Sequence, residues 1–223
     1  MGNTLRKEAQ VSANDSNMLV GQFYVPEQQL INDFDRSFGL EMVDIFVGPE
    51  KEHFHVHKKP LCARVPYFDK MFCGQFLESE QQSATLPEDD PIVFNLFLMW
   101  VYGDGSLAPV DFSKNTVDSG PILDRIKLYG FAEKICLTEL SDYLMTTLIS
   151  NLSLQNRTLS LASVTSAYEL TRPESPSRKY ISHSLTLTVK LSGPETSSSN
   201  NINIKRLLSE NEDILKDTLE AIR

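Results

Sequence analysis

The run from Pro91 to Tyr102 is apolar almost all round, with Asn95 as its one clearly polar interruption. Asp90 and Pro91 are typical of a helix start, because the carboxylate caps free amide groups and proline needs no N–H partner at the first helical position. A helix that is apolar on every side has to be buried on several sides by its own chain, or on one side by a partner. It is also too short to cross a membrane. The sequence therefore predicts a helix over 91–102 that other elements or a partner cover.

A stretch with a period of two comes earlier in the chain. Val43, Ile45 and Val47 alternate with their neighbours up to a turn at 48–49, and the alternation resumes over 53–57. This pattern is typical of strands that bury one face, so we expect a β-hairpin, with a third short strand over 83–86. Two short helices are predicted between them, over 59–64 and 67–73, because a proline and a glycine end these segments.

The last part of the chain is predicted to be helical. Apolar residues at helical spacing indicate helices near 122–135, 140–148 and 159–170, and one more is predicted over 178–191 despite its β-branched residues. A Ser-rich linker over 192–201 and an amphipathic helix over 202–223 follow. The apolar stripe of this last helix either docks onto the helices within 137–191 or stays free for a partner.

The start of the chain carries less pattern. Residues 1–18 are polar and unpatterned, so they are predicted to be a disordered tail. Apolar residues then recur at near-helical spacing and predict a short amphipathic helix with Leu30, Ile31, Phe34 and Phe38 on it.

Charge and cysteine usage limit the class of partner. The chain of 223 residues has a formal net charge of −9, whereas a nucleic-acid-binding surface needs clustered Lys and Arg. Its three cysteines are an odd number without paired spacing, and the N-terminus lacks the apolar core of a signal peptide. We therefore expect a protein of the cytoplasm or nucleus that binds other proteins, and neither nucleic acid nor a membrane.

Several segments, in this order along the chain, resemble the BTB/POZ signature. The likeness covers about residues 36–150 and, more loosely, the helices to about 191. The amino-acid sequence of these segments is most similar to that of fungal BTB proteins. The segments that carry it are 44–48, 54–68, 74–79, 86–91 and 100–105.

The resemblance implies an α+β fold in which a small three-stranded sheet caps a helical cluster, with additional C-terminal helices. The domain would occupy 19–150 with its N-terminal segment, followed by a helical extension over 151–191, the linker over 192–201 and the helix over 202–223. It implies a protein-interaction module that forms homo- or hetero-oligomers, without a catalytic centre or cofactor. No appended zinc-finger, kelch or ankyrin module is recognised in the sequence.

The family's dimeric members suggest which residues to expect at an interface. Asp44 and Lys58 match a charged pair that lines a pocket there, although Lys replaces the usual Arg and loses its planar, bidentate contact. A simpler alternative is that Asp44 only ends a strand and Lys58 is solvated. The resemblance predicts a dimer interface made of Leu30, Ile31, Phe34, Phe38, Asp44, Lys58 and Leu61.

An alternative function is that of a substrate adaptor for a cullin-type ubiquitin ligase. Cullin-recruiting members carry an apolar-x-Glu motif, and the matching positions here are Phe94, Asn95 and Leu96. The missing Glu removes a charge-assisted hydrogen bond and weakens this hypothesis, although apolar contacts remain. The predicted cullin contacts are Phe94, Leu96 and Tyr102.

Three histidines were considered as metal ligands. His53, His55 and His57 share one face of the predicted strand, and imidazole is a zinc ligand. The sequence offers no cysteine or carboxylate cluster to complete the set, and hairpin patterning explains the alternation, so no metal site is predicted. The sequence contains no phosphate-binding loop, nucleophile elbow or His-Glu-x-x-His motif, so no catalytic residue is predicted.

Overall fold

A three-stranded sheet begins the part of the chain that the structure describes. The computed structural model describes residues 38–109, 120–154, 159–191 and 199–223, which belong to one unit running from Phe38 to Arg223. The strands are β1 (Met42–Val47), β2 (Glu52–His57) and β3 (Ser83–Leu86), in the spatial order β2-β1-β3. The predicted hairpin and third strand are therefore confirmed.

The central strand β1 is hydrogen-bonded on both sides. It pairs antiparallel with β2, placing Asp44 opposite His55, and parallel with β3, placing Asp44 next to Ser83. Because side chains alternate between the two faces, Val43, Ile45 and Val47 all point into the core and are fully buried. The opposite face of the sheet carries polar and aromatic side chains.

Three short helices connect β2 to β3: α1 (Lys58–Arg64), α2 (Pro66–Cys73) and α3 (Leu77–Gln81). Pro66 begins α2, as the sequence predicts, because proline fits the first helical position and cannot continue a preceding helix. The third helix was not predicted, since its five residues are too short to show a helical period.

Helix α4 (Pro91–Tyr102) has the predicted bounds and lies inside the first hydrophobic core. Its N-terminus is capped by Asp90, which accepts a hydrogen bond from the Ile92 amide at 2.9 Å. Six of its side chains are buried, and Phe94 and Phe97 join a cluster of aromatic rings in which most neighbouring pairs pack edge-to-face or tilted. This cluster contains Phe68, Phe72, Phe94, Phe97 and Phe131.

The C-terminal part forms a second hydrophobic core. This part of the chain contains α5 (Pro121–Lys134), α6 (Thr138–Leu154), α7 (Leu161–Leu170) and α8 (Pro176–Leu191). Helix α5 belongs to both cores: Leu128 and Phe131 lie in the first, and Ile126 lies in the second. Among the described helices, none is long and apolar enough to traverse a lipid bilayer.

The end of the chain differs from the prediction of one helix over 202–223. Two helices, α9 (Ser199–Glu210) and α10 (Glu212–Ile222), meet at Asn211, and α9 begins inside the predicted linker. Asn211 has φ −131° and ψ 102°, an extended conformation that interrupts the helical hydrogen bonding. Ile214 is fully buried in the second core, so the C-terminal stripe docks onto the domain.

Some predictions concern residues outside the described part of the chain. They are the disordered tail over 1–18, the interface residues Leu30, Ile31 and Phe34, and most of the linker over 192–201.

Candidate interaction surface

An open groove of about 520 Å³ lies where α1, the end of α4 and the start of α6 come together. The exposed side of α1 forms one wall, and the C-terminal turn of α4 forms the other. Its lining residues are Phe38, Pro60, Ala63, Arg64, Val101, Tyr102, Asp104 and Glu139.

Tyr102 organises one end of this groove. Its hydroxyl oxygen accepts a hydrogen bond from the backbone N–H of His57 at 3.0 Å and lies 3.1 Å from Nδ1 of the same residue. The Phe38 ring packs against both, with ring centroids 5.7 Å from His57 and 5.6 Å from Tyr102. Burial raises the pKa of Tyr102, so this hydroxyl stays protonated at neutral pH.

Arg64 supplies a fixed positive charge to the groove. Its guanidinium lies over the Trp100 ring at 5.0 Å, donates to the carbonyl oxygen of Val101 at 3.1 Å and pairs with Asp104 at 3.2 Å. The Arg64 side chain is only 22% exposed, whereas Asp104 is fully exposed. The cation is therefore held in place while its partner carboxylate remains accessible to another molecule.

The predicted charged pair is not brought together among the described residues. Asp44 bonds to His53 and His55, and Lys58 pairs instead with Glu41 at 3.7 Å. The side chain of Leu61, another predicted interface residue, is fully buried in the first core and is not part of the surface. Phe38 is half-buried and lines the groove, so it remains a candidate.

The predicted cullin contacts differ in how exposed their side chains are. Phe94 is fully buried and cannot touch a partner, because the motif position points into the core. Leu96 is partly buried against that core, and Tyr102 is 37% exposed. Sequence reasoning missed the exposed apolar residues of α4, Ile92 and Met99, although their spacing from Tyr102 follows one helix face.

The histidines of β2 have two different sets of partners. His57 bonds to Tyr102, whereas His53 and His55 both approach the Asp44 carboxylate. The sequence shows no cysteine or carboxylate cluster beside these histidines, but the fold brings one carboxylate, Asp44, to His53 and His55 from the neighbouring strand. Strand register of this kind cannot be read from spacing within one strand. Hydrogen bonds from His53 and His55 lower the pKa of Asp44.

Comparison with known proteins agrees with this architecture. Residues 34–119 match the family model of the BTB/POZ domain. The chain is also similar to BTB and MATH domain-containing protein 15 of Caenorhabditis elegans, at 33% identity over 81 residues. That match covers 36% of this chain and 29% of the nematode protein, so it spans less than a third of that relative. The predicted α+β BTB/POZ fold is confirmed, whereas the comparisons give no support for a fungal likeness.

Proposed function

We propose that this chain, whose residues 34–119 match the BTB/POZ family model, is a protein-interaction module that associates with itself or with other BTB domains through the groove beside Tyr102. BTB domains are typically non-enzymatic modules that bind proteins. The observation that carries the proposal is the composition of the groove, where two aromatic rings and an immobilised arginine surround an open concave surface. Such residues dominate the binding energy of protein interfaces.

The lining of the groove leaves space for a partner and places negative charge at its rim. Ala63 and Pro60 leave room on the α1 side, and Asp104 and Glu139 place carboxylates at the rim. A partner that inserts an apolar side chain would bury the faces of Phe38 and Tyr102, while a basic side chain would pair with the rim. Phe38 is the one member of the predicted N-terminal interface segment that the structure describes, and it lies in this groove.

The solution mass of the full chain, measured by light scattering over a range of concentrations, tests the proposal. We expect a dimer whose dissociation constant rises at least about 10-fold in Ala63→Arg, because the exposed Ala63 faces the groove and a long cation would obstruct it. Ala162→Arg, which alters an exposed alanine of α7, is the matched control. The proposal would be contradicted by a wild type that stays monomeric at every concentration, or by a dimer whose dissociation constant is unchanged in Ala63→Arg.

The exposed face of α4 supports cullin binding as a second candidate. Ile92, Met99 and Tyr102 are 62%, 48% and 37% exposed along one side of the helix that carries the apolar-x-Glu position. An apolar helix face of this kind can be covered by a partner without any carboxylate at Leu96. Adding a cullin N-terminal domain to the same scattering experiment separates the candidates: an adaptor gains mass, Met99→Arg abolishes the gain, and Ala63→Arg preserves it.

A further inference from the structure

The outer face of the sheet gathers three potential metal ligands from two strands. Residues 53 and 55 are two positions apart on β2, so His53 and His55 point to the same side. Asp44 lies opposite His55 in the antiparallel register, and its side chain projects from the same face. This juxtaposition is separate from the groove and does not depend on the proposed interaction.

The ligand atoms already lie close to one another. Oδ1 of Asp44 is 2.7 Å from Nε2 of His53 and 2.8 Å from Nδ1 of His55, and all three atoms fall within 4.8 Å of one another. Donor atoms bound to a tetrahedral zinc ion at ordinary bond lengths are about 3.4 Å apart. Small side-chain rotations are therefore sufficient to open this cluster around an ion.

The surroundings hold the ligands in place while leaving one side open. Val43 and Ile45, which flank Asp44, are fully buried and fix the path of β1. The Phe46 ring stacks on His53, with centroids 4.9 Å apart and planes inclined by 17°. The three ligand side chains are between 43% and 57% exposed, so an ion can enter from solvent and water can complete its coordination.

The donor set selects a chemical class of ion. Two imidazole nitrogens and one carboxylate oxygen suit zinc and its neighbours in the first transition row, whereas Mg²⁺ and Ca²⁺ require mostly oxygen ligands. Each imidazole would bind in its neutral form, with its proton on the ring nitrogen that faces away from the ion.

A second cluster in the described chain offers a comparison. Cys62, Asp69 and Cys73 also bring three ligand atoms within 4.8 Å. Burial, reinforced by the neighbouring Cys73, raises the pKa of the Cys62 thiol to about 12, and a metal requires the thiolate. The histidine cluster contains no thiol, and neutral imidazole is itself a metal ligand.

We propose that Asp44, His53 and His55 form a surface site for one first-row divalent transition-metal ion. Zinc is the probe, titrated by calorimetry into the metal-free full chain, with Mg²⁺ and Ca²⁺ as ions that should not bind. We expect one zinc per chain, and a loss of affinity of about 10-fold or more in each of His53→Gln, His55→Gln and Asp44→Asn. These residues are exposed or half-exposed, so circular dichroism should show that the variants remain folded.

Two matched variants make the result specific. His183→Gln alters an exposed histidine whose Nδ1 lies 2.7 Å from the Lys179 carbonyl oxygen of its own helix, so this variant should bind zinc as the wild type does. The double variant Cys62→Ser/Cys73→Ser should also keep its affinity. The proposal is overturned if the wild type binds no zinc, if His53→Gln and His55→Gln bind as tightly as the wild type, or if loss of the two thiols abolishes binding.

Discussion

Asp90 stabilises two elements at once. One carboxylate oxygen caps α4 through the Ile92 amide, and the other accepts a hydrogen bond from Lys127 of α5 at 3.1 Å. Burial alone would raise the pKa of Asp90, but the hydrogen bonds from Lys127 and Ile92 outweigh it and the net shift is downward. The ionised carboxylate therefore contributes to folding stability.

Replacing Asp90 should separate these two roles. Asp90→Ala removes the cap and is expected to lower the free energy of unfolding by about 1 kcal/mol, measured by urea denaturation. Asp90→Ser keeps a capping oxygen but loses the pair with Lys127, so its loss should be smaller. If Asp90→Ser lowers the free energy of unfolding as much as Asp90→Ala does, the cap is not the main contribution of Asp90 to stability.

The same carboxylate predicts a pH dependence. Because its pKa is lower in the folded protein than in the unfolded chain, its stabilisation is complete above about pH 4 and is lost as the pH falls through the lower, folded-state pKa. The stability difference between wild type and Asp90→Ala should therefore shrink as the solution is acidified.

Gly130 sets the approach of two helices, because α5 passes α7 at this position. A Cβ atom placed there would lie 2.8 Å from Cβ of Leu170 and 3.1 Å from its carbonyl oxygen. Gly130→Ala should cost about 1–3 kcal/mol of stability in a urea titration, although alanine is the better helix former. Adding Leu170→Gly, which removes the nearest atom, should recover part of that loss, and simple additivity of the two changes would argue against the clash.

At the scale of elements, Arg178 joins three helices and a turn. Its side chain is 7% exposed, lies over the Tyr168 ring at 4.7 Å and donates to the backbone carbonyls of Tyr168 and Thr171. It also reaches Asp213 of α10 at 3.4 Å. One guanidinium therefore links the end of α7 to the start of α8 and to α10.

Loss of this guanidinium should loosen the second core. Arg178→Met leaves two buried carbonyls without a donor, and we expect the free energy of unfolding to fall by about 3 kcal/mol in a denaturant titration. Arg178→Lys should recover little, because an ammonium lacks the planar fork. Arg206→Met, in an exposed ion pair with Glu210, should change stability by less than about 0.5 kcal/mol. Equal effects of the two methionine variants would contradict this role of Arg178.

The sequence specifies elements better than it specifies contacts. The bounds of β3 and α4 were predicted correctly, because an alternating tetrapeptide and an Asp-Pro start are local signals. The break at Asn211 was missed, since the apolar spacing continues across it. Motif matching placed Phe94 on the right helix but could not show that its side chain points into the core. The cluster of Asp44 with His53 and His55 depends on strand register, which arises only in the folded sheet.

At the scale of the whole molecule, the two hydrophobic cores share α5. Ile126 contributes to the second core, while Leu128 and Phe131 contribute to the first. A helix that is buried on two sides cannot lose one core without exposing apolar surface on that side. We therefore expect the first core, with its three-stranded sheet, and the C-terminal helices to unfold together.

Ile214→Ala tests this coupling, because the residue is fully buried in the second core, whereas Trp100, the only tryptophan in the chain, lies in the first. The substitution should cost about 2–4 kcal/mol and shift the unfolding midpoint reported by Trp100 fluorescence together with the circular dichroism signal. Leu219→Ala, at a 53% exposed position of the same helix, should shift neither signal appreciably. A Trp100 midpoint that stays fixed would show that the cores unfold independently.

The order of strands in the sheet also has a consequence for biosynthesis. Strand β1 is paired on one side by β2, its immediate successor, but on the other by β3, which follows only after α1, α2 and α3. On the ribosome, the hairpin would thus emerge with one edge of its central strand unpaired until Leu86 has been released. Unpaired backbone groups along a strand edge can pair with the wrong neighbour, so we expect mispairing of β1 to be most favoured before β3 has joined the sheet.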